Sequence, residues 1–135
     1  MVEMDLAALV ESALLEMGCD SSLLGKIDSH STIALDFNGR PSIYVSEKEG
    51  DIWLWSKIYE YHDEAFDQLA PKLLKELMQG YEFIRGEHPA LVTNEGYFEL
   101  KALVHTHCLV DGKNFAQALN GFFECVGNFL ETIVH

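Results

Sequence analysis

Three features of the sequence predict an α+β fold, with an antiparallel sheet packed against helices in the order αβββαββα. Apolar residues recur at helical spacing near the start, middle and end of the chain, and at period two between those stretches. Asn38-Gly39 and Asn94-Glu95-Gly96 mark tight turns between strand-like runs. No linker, internal repeat or low-complexity stretch divides the 135 residues, so residues 1–135 are read as one domain. A chain of this length buries about two thirds of its unfolded surface, enough for a core without disulfide or metal staples.

The first helix is expected where Leu6, Leu9, Val10, Ala13, Leu14 and Met17 share a face, with Asp5 as cap and Gly18 as stop. Leu23, Leu24 and Ile27 are read as one apolar turn. A strand follows over Ser31–Phe37, with Ile33, Leu35 and Phe37 on one side. The chain returns through Ile43 and Val45, with Pro41 at the strand start, where a missing N–H is tolerated. The third strand, Ile52-Trp53-Leu54-Trp55, is apolar on both sides. It therefore needs cover on both, by a helix and by a second element, for which a partner chain is one candidate.

From about Asp63 the period is helical again, with Phe66, Leu69, Leu73 and Leu77 in a stripe and Ala70 and Leu74 beside it. Pro71 either starts the regular helix or kinks it. Residues 81–89 show no clear pattern. Ala90–Thr93 and Tyr97–Val104 form a second hairpin. The last helix begins at Asp111, its cap, and carries Phe115, Leu119, Phe122, Val126, Phe129 and Ile133 on one face.

Nine Lys and Arg against 22 Asp and Glu give a net charge of −13. Such a chain lacks the cationic footprint that phosphate backbones and anionic lipid surfaces require, so neither nucleic acid nor membrane is expected as a partner. No apolar run approaches the roughly 20 residues that span a bilayer. Cys19, Cys108 and Cys125 are odd in number and form no CxxC pair. Met1–Asp5 is acidic where a secretion signal is basic. These features point to a reducing cytoplasm.

Catalysis has weak candidates. His105-Thr106-His107, read as a strand, points both imidazoles to one side, a legitimate chelate geometry, but spacing supplies no third ligand. Asp28-Ser29-His30 contains the letters of a hydrolase triad, yet triad partners come from separate elements, and a turn explains the three better. No glycine-rich phosphate loop occurs. No catalytic residue, metal site or cofactor is expected. Two other classes compete with a binding protein: an acidic inhibitor or adaptor of a basic partner, released steeply by salt, and a metal-dependent enzyme using His105 and His107.

The segments Gly18-Cys19, Ser22-Leu23-Leu24, Ile27-Asp28-Ser29-His30-Ser31-Thr32-Ile33, Pro41-Ser42-Ile43, Trp53-Leu54-Trp55, Lys101-Ala102-Leu103-Val104-His105 and Asp111-Gly112-Lys113, with Phe115, Ala118, Leu119, Asn120, Gly121 and Phe122, occur in a familiar order. The chain resembles the class IB type III secretion chaperones, the InvB/SpaK surface-presentation-of-antigens group. The resemblance implies a bacterial cytoplasmic homodimer without enzymatic activity. It would bind the N-terminal regions of several virulence effectors, hold them extended and soluble, and deliver them to the secretion apparatus, with its ATPase as a candidate contact. Pro71 falls in the helix that helps form the dimer contact in such proteins, and Lys57–Asp63 departs from their pattern.

An extended cargo can add a strand to a sheet edge while apolar pockets take its alternating side chains. Expected cargo contacts are Leu6, Leu9, Val10, Ile33, Leu35, Phe37, Ile43 and Val45, each also an ordinary core candidate. Expected dimer contacts are Trp53, Trp55, Leu69, Leu73 and Leu77. On that expectation Leu73→Asp yields a soluble monomer.

Overall fold

The computed structural model describes residues 5–19, 24–28 and 32–134. Helix α1 spans Leu6–Glu16. Four strands follow, β1 (Leu24–Asp28), β2 (Thr32–Leu35), β3 (Ile43–Lys48) and β4 (Asp51–Glu60). Helix α2 (Asp63–Leu77), strands β5 (Ala90–Asn94) and β6 (Tyr97–Leu103), a single 3-10 turn over Thr106–Leu109 and helix α3 (Gly112–Val134) complete the chain. The strands form one six-stranded antiparallel sheet in the order β1-β2-β3-β4-β6-β5. This is the expected α+β class, with one strand more than the predicted string.

Helix α1 begins and ends as its sequence dictates. The Asp5 carboxylate accepts the Ala8 N–H at 3.1 Å, satisfying a donor that the helix itself cannot. At the other end Gly18 takes φ +75°, and the Cys19 N–H donates to the Leu14 carbonyl at 2.9 Å. That is the left-handed stop that favours glycine. Helix α2 continues through Pro71 rather than starting there. Pro71 is exposed, so the carbonyl four residues back, deprived of its N–H partner, faces water. Along helix α3 the predicted stripe is buried at Phe115, Leu119, Phe122, Val126 and Phe129 and partly buried at Ile133, and Ala118 is buried beside it. Both α1 and α2 pack against it.

The two-residue loops Glu49-Gly50 and Glu95-Gly96 have φ of +53° and +84°, and +52° and +84°. Positive φ at both positions is the type I′ hairpin, which suits Asn before Gly and penalises Glu. Glu95 also pairs with Lys57 at 3.6 Å, so Glu49 is the cleaner position to improve. Glu49→Asn is expected to stabilise the fold by about 0.4–1 kcal/mol, read as a higher urea midpoint at unchanged slope. Glu95→Asn should gain less, because it loses the ion pair.

The sheet has one covered and one open face. Along β4 the residues Ile52, Leu54, Ser56 and Ile58 are buried, while Trp53, Trp55 and Lys57 between them are partly exposed. The buried row continues across Val45, Leu54 and Ala102 in register. Ser56 holds a core slot because its hydroxyl donates to the Ser42 carbonyl at 2.8 Å, which removes most of the cost of burying it. Tyr61, Phe66 and Phe98 meet with centroids 5.2–5.9 Å apart, anchoring the start of α2 to the start of β6.

Two local expectations are corrected. Leu24 and Ile27 belong to an edge strand, not to an apolar turn; Leu24 pairs with Leu35 and Ile27 with Ile33 across a bulge. His105–His107 is not extended: the chain turns into the 3-10 segment, and the Cys108 N–H donates to the His105 carbonyl at 2.9 Å. Leu23, Ser29 and His30 lie outside the described residues.

Candidate partner-binding surfaces

The residues that alternation singled out separate sharply by burial. Leu6, Val10, Ile33, Leu35, Ile43 and Val45 lie in the core, each 8% exposed or less. Leu9 and Phe37 are half-buried, and the Phe37 ring meets Phe123 of α3 edge-on at 5.3 Å. Of the expected dimer contacts, Leu73 is buried within the chain and Leu69 and Leu77 are half-buried beside it. Trp53 and Trp55 stand on the open face of the sheet.

That open face is ordered by register. One row crosses Ala34, Tyr44, Trp55 and Lys101, and the next crosses Thr32, Ser46, Trp53 and Leu103. Tyr44 and Trp55 stack with centroids 4.3 Å apart. The Trp55 indole N–H donates to Ser46 Oγ at 2.9 Å, and Ser46 Oγ in turn meets Thr32 Oγ1 at 3.0 Å. Lys101 Nζ lies 5.3 Å from the Trp53 ring centroid, a cation–π distance. Glu99 is buried at the edge of this face and accepts from Asn94 Nδ2 at 3.2 Å. A shallow pocket lined by Ser46, Lys48, Trp53, Trp55, Asn94, Glu99 and Lys101 results. Its aromatic floor can take flat or aliphatic side chains, while the lysines and the carboxylate can orient polar ones.

Two further apolar surfaces escaped the sequence reading. Leu74 on α2 and Met78 at its C-cap, one turn apart, are 59% and 67% exposed. Leu15 is 74% exposed and lines a cleft with Glu11, Leu14 and Cys19 at the end of α1. Leu74 appeared in sequence as a neighbour of the buried stripe; only the position of α3 decides that it faces outward. The strand order also leaves β1 and β5 at the sheet edges, where unpaired backbone groups can accept another strand.

The thiols divide the same way. Burial pushes Cys125 up to about 12, with Tyr81 opposing through a hydrogen bond and Glu76 and Glu124 adding to the rise; burial also raises Cys108. A thiol held neutral reacts slowly. Cys19, half-exposed in its cleft, is expected to take a thiol reagent quickly at neutral pH, and Cys125 only on unfolding. Stopped-flow labelling with one and then three equivalents released would show this; fast loss of all three thiols in the native protein would refute it.

Among the described residues no three His, Cys, Asp or Glu side chains gather to hold a metal ion. No described helix is long and apolar enough to cross a membrane. The described surfaces are an aromatic sheet face, two terminal strands and exposed leucines on two helices.

Comparison with known proteins shows the family. The sequence model of the Invasion protein B family matches residues 18–95, a span that runs from the end of α1 through β5. Over 131 residues the chain is 45% identical to the surface presentation of antigens protein SpaK of Salmonella typhimurium strain LT2, covering 97% of this chain and 94% of that protein. The SpaK protein of Salmonella typhi matches to the same extent. Agreement at this level along nearly the whole of both chains means that this chain belongs to the Invasion protein B family.

Proposed function

We propose that the protein is a type III secretion chaperone: a cytoplasmic homodimer, without catalytic activity or cofactor, that binds the N-terminal chaperone-binding segments of several secreted effectors. It keeps them extended and soluble and passes them to the secretion apparatus, with the ATPase of that apparatus as a candidate contact. The observation that carries the reading is the 45% identity to SpaK along 97% of the chain. The physical picture supports it. Strand addition at an edge gains main-chain hydrogen bonds with little demand on cargo sequence, and β1 offers such an edge.

Because Leu6, Val10, Ile33, Leu35, Ile43 and Val45 are core, this reading moves the side-chain contacts for cargo to Leu9, to the Leu15 cleft and to the rim around Phe37. Trp53 and Trp55, with half-buried Leu69 and Leu77 and exposed Leu74 and Met78, remain for the second copy. Ordering a flexible cargo costs about 2–5 kcal/mol, so a large interface is needed. Two copies would supply it to one wrapping chain.

The test is affinity copurification from the native host under secreting conditions at moderate salt, with partners identified by mass spectrometry. The expected result is secreted proteins, retained when only their N-terminal segments are supplied. Recovery of a single basic protein that leaves as salt rises would replace the chaperone with an acidic inhibitor.

A further inference from the structure

The chaperone reading calls for two copies of the chain, and the open face of the sheet holds charged side chains that one copy leaves incomplete. Glu99 is 6% exposed. Among the described residues its carboxylate accepts a hydrogen bond from Asn94 Nδ2 at 3.2 Å and pairs with no cation. Lys57, directly opposite on β4, pairs with Glu95 at 3.6 Å instead. Lys101, two residues further along β6 on the same side, leans the other way. Its Nζ lies 5.3 Å from the ring centroid of Trp53, which stands opposite Leu103. A carboxylate so nearly removed from water, with one neutral donor, is costly until a cation reaches it.

The same patch carries the other half of the pair. Lys48 and Lys101 line the pocket with Glu99, Trp53 and Trp55, and no described carboxylate pairs with either lysine. A surface that holds unpaired charges of both signs is complementary to itself, as a two-fold contact between identical chains requires. A two-fold axis lying across the strands at the height of Leu100 turns the row of Glu99, Lys57 and Val92 onto the row of Lys101, Trp55 and Ala90. Each Glu99 then faces the second copy's Lys101, each Lys57 faces an indole at cation–π reach, and each Val92, 42% exposed, faces an alanine. Sheets packed face to face stand about 10 Å apart, a gap that a lysine and a glutamate span together. Two chains of charge −13 repel, and this face, with Lys48, Lys57 and Lys101 on it, is where they can meet. We propose that two copies pack open face to open face, Trp53 and Trp55 in the middle, with Glu99 of each copy ion-paired to Lys101 of the other. The proposal rests on the homodimer of the chaperone reading and adds where the copies meet and which charges set their register.

The test is sedimentation equilibrium and native mass spectrometry of the full chain without cargo, so its result is separate from cargo recovery. The unaltered chain is expected to be a dimer at micromolar concentration. Glu99→Gln keeps the volume and an acceptor for Asn94, and Lys101→Met keeps the length of the side chain. Each should weaken the dimer at least about tenfold, with the circular dichroism spectrum unchanged. Glu99→Lys and Lys101→Glu should each be monomeric alone. Mixing them should restore a dimer with one copy of each, because both contacts regain opposite charges. Glu99→Lys reduces the net negative charge, so loss of the dimer there does not come from general repulsion. Should Glu99→Lys fail to fold, the Gln and Met variants still decide the matter. A dimer that every variant leaves intact would overturn this contact while the homodimer stands, and a monomeric unaltered chain would overturn both. Monomeric charge-reversed variants that both fold and do not recombine would overturn the pairing of Glu99 with Lys101.

Discussion

Gly112→Ala is expected to destabilise the protein by about 2 kcal/mol, although glycine-to-alanine changes in helices ordinarily help. The helix-propensity gain is at most about 1 kcal/mol. Against it stands the closeness of α1: a Cβ at Gly112 would clash with Ser12 Oγ, lie 2.6 Å from Ser12 Cβ and 2.9 Å from its carbonyl carbon. The first is a movable side-chain end, but the last is backbone, so α1 and α3 must separate. Overpacking of that kind costs about 1–3 kcal/mol and sometimes more, and the melting temperature should fall by roughly 5–10 °C. Ser12→Gly in the same chain should recover only part of the loss, because the backbone carbon stays in place. A double-mutant cycle measures that coupling. A more stable Gly112→Ala protein would mean that the two helices are not this close.

How far the sequence discloses this architecture depends on how local each determinant is. Helix α3 is legible because 23 residues repeat one period without interruption. The β2–β3 and β5–β6 turns are legible because Asn38-Gly39 and Glu95-Gly96 need positive φ, which glycine supplies at +72° and +84°. Strand β1 is not legible. Its five residues include Gly25 and Lys26, which break any alternation, and its pairing with β2 is decided by the partner strand. Strand β4 runs five residues past the predicted end because Ser56 occupies a core slot and only a distant carbonyl makes that tolerable. The turn at His105–His107 is likewise set by Phe83, 22 positions away, which fixes the His105 N–H.

The candidate surfaces are less legible than the fold, for a related reason. Period two in Ile33, Leu35, Ile43 and Val45 says that one face is apolar, but not whether the protein's own helices or another chain covers it. Here the protein's own core does. The face left open is marked instead by Tyr44, Trp53, Trp55 and Lys101, which three different strands bring together through register. No spacing along the chain connects Tyr44 to Lys101. Sequence shows aromatic residues on the outer side of β4; the structure adds the neighbours that make them a surface.

Leu73→Asp is expected to unfold the protein rather than release a folded monomer. Leu73 is only 2% exposed and belongs to the core between α2 and the rest of the molecule. Removing a buried leucine costs about 2–5 kcal/mol, and an unpaired carboxylate in its place adds more, together close to the whole stability of a domain of this size. The neighbouring position gives the opposite expectation. Leu74 and Met78 are more than half exposed, so Leu74→Asp with Met78→Asp should leave the melting temperature of an isolated chain nearly unchanged. If α2 joins two copies, that double variant puts two pairs of like charges into an apolar contact and shifts the mass in light scattering from dimer to monomer, with the circular dichroism spectrum retained. A persistent dimer would move the contact away from α2, to the Trp53–Trp55 face or a free sheet edge. A folded Leu73→Asp monomer would show that Leu73 belongs to the interface and not to the core. The pair of variants therefore separates the two roles that one apolar stripe suggests for adjacent leucines.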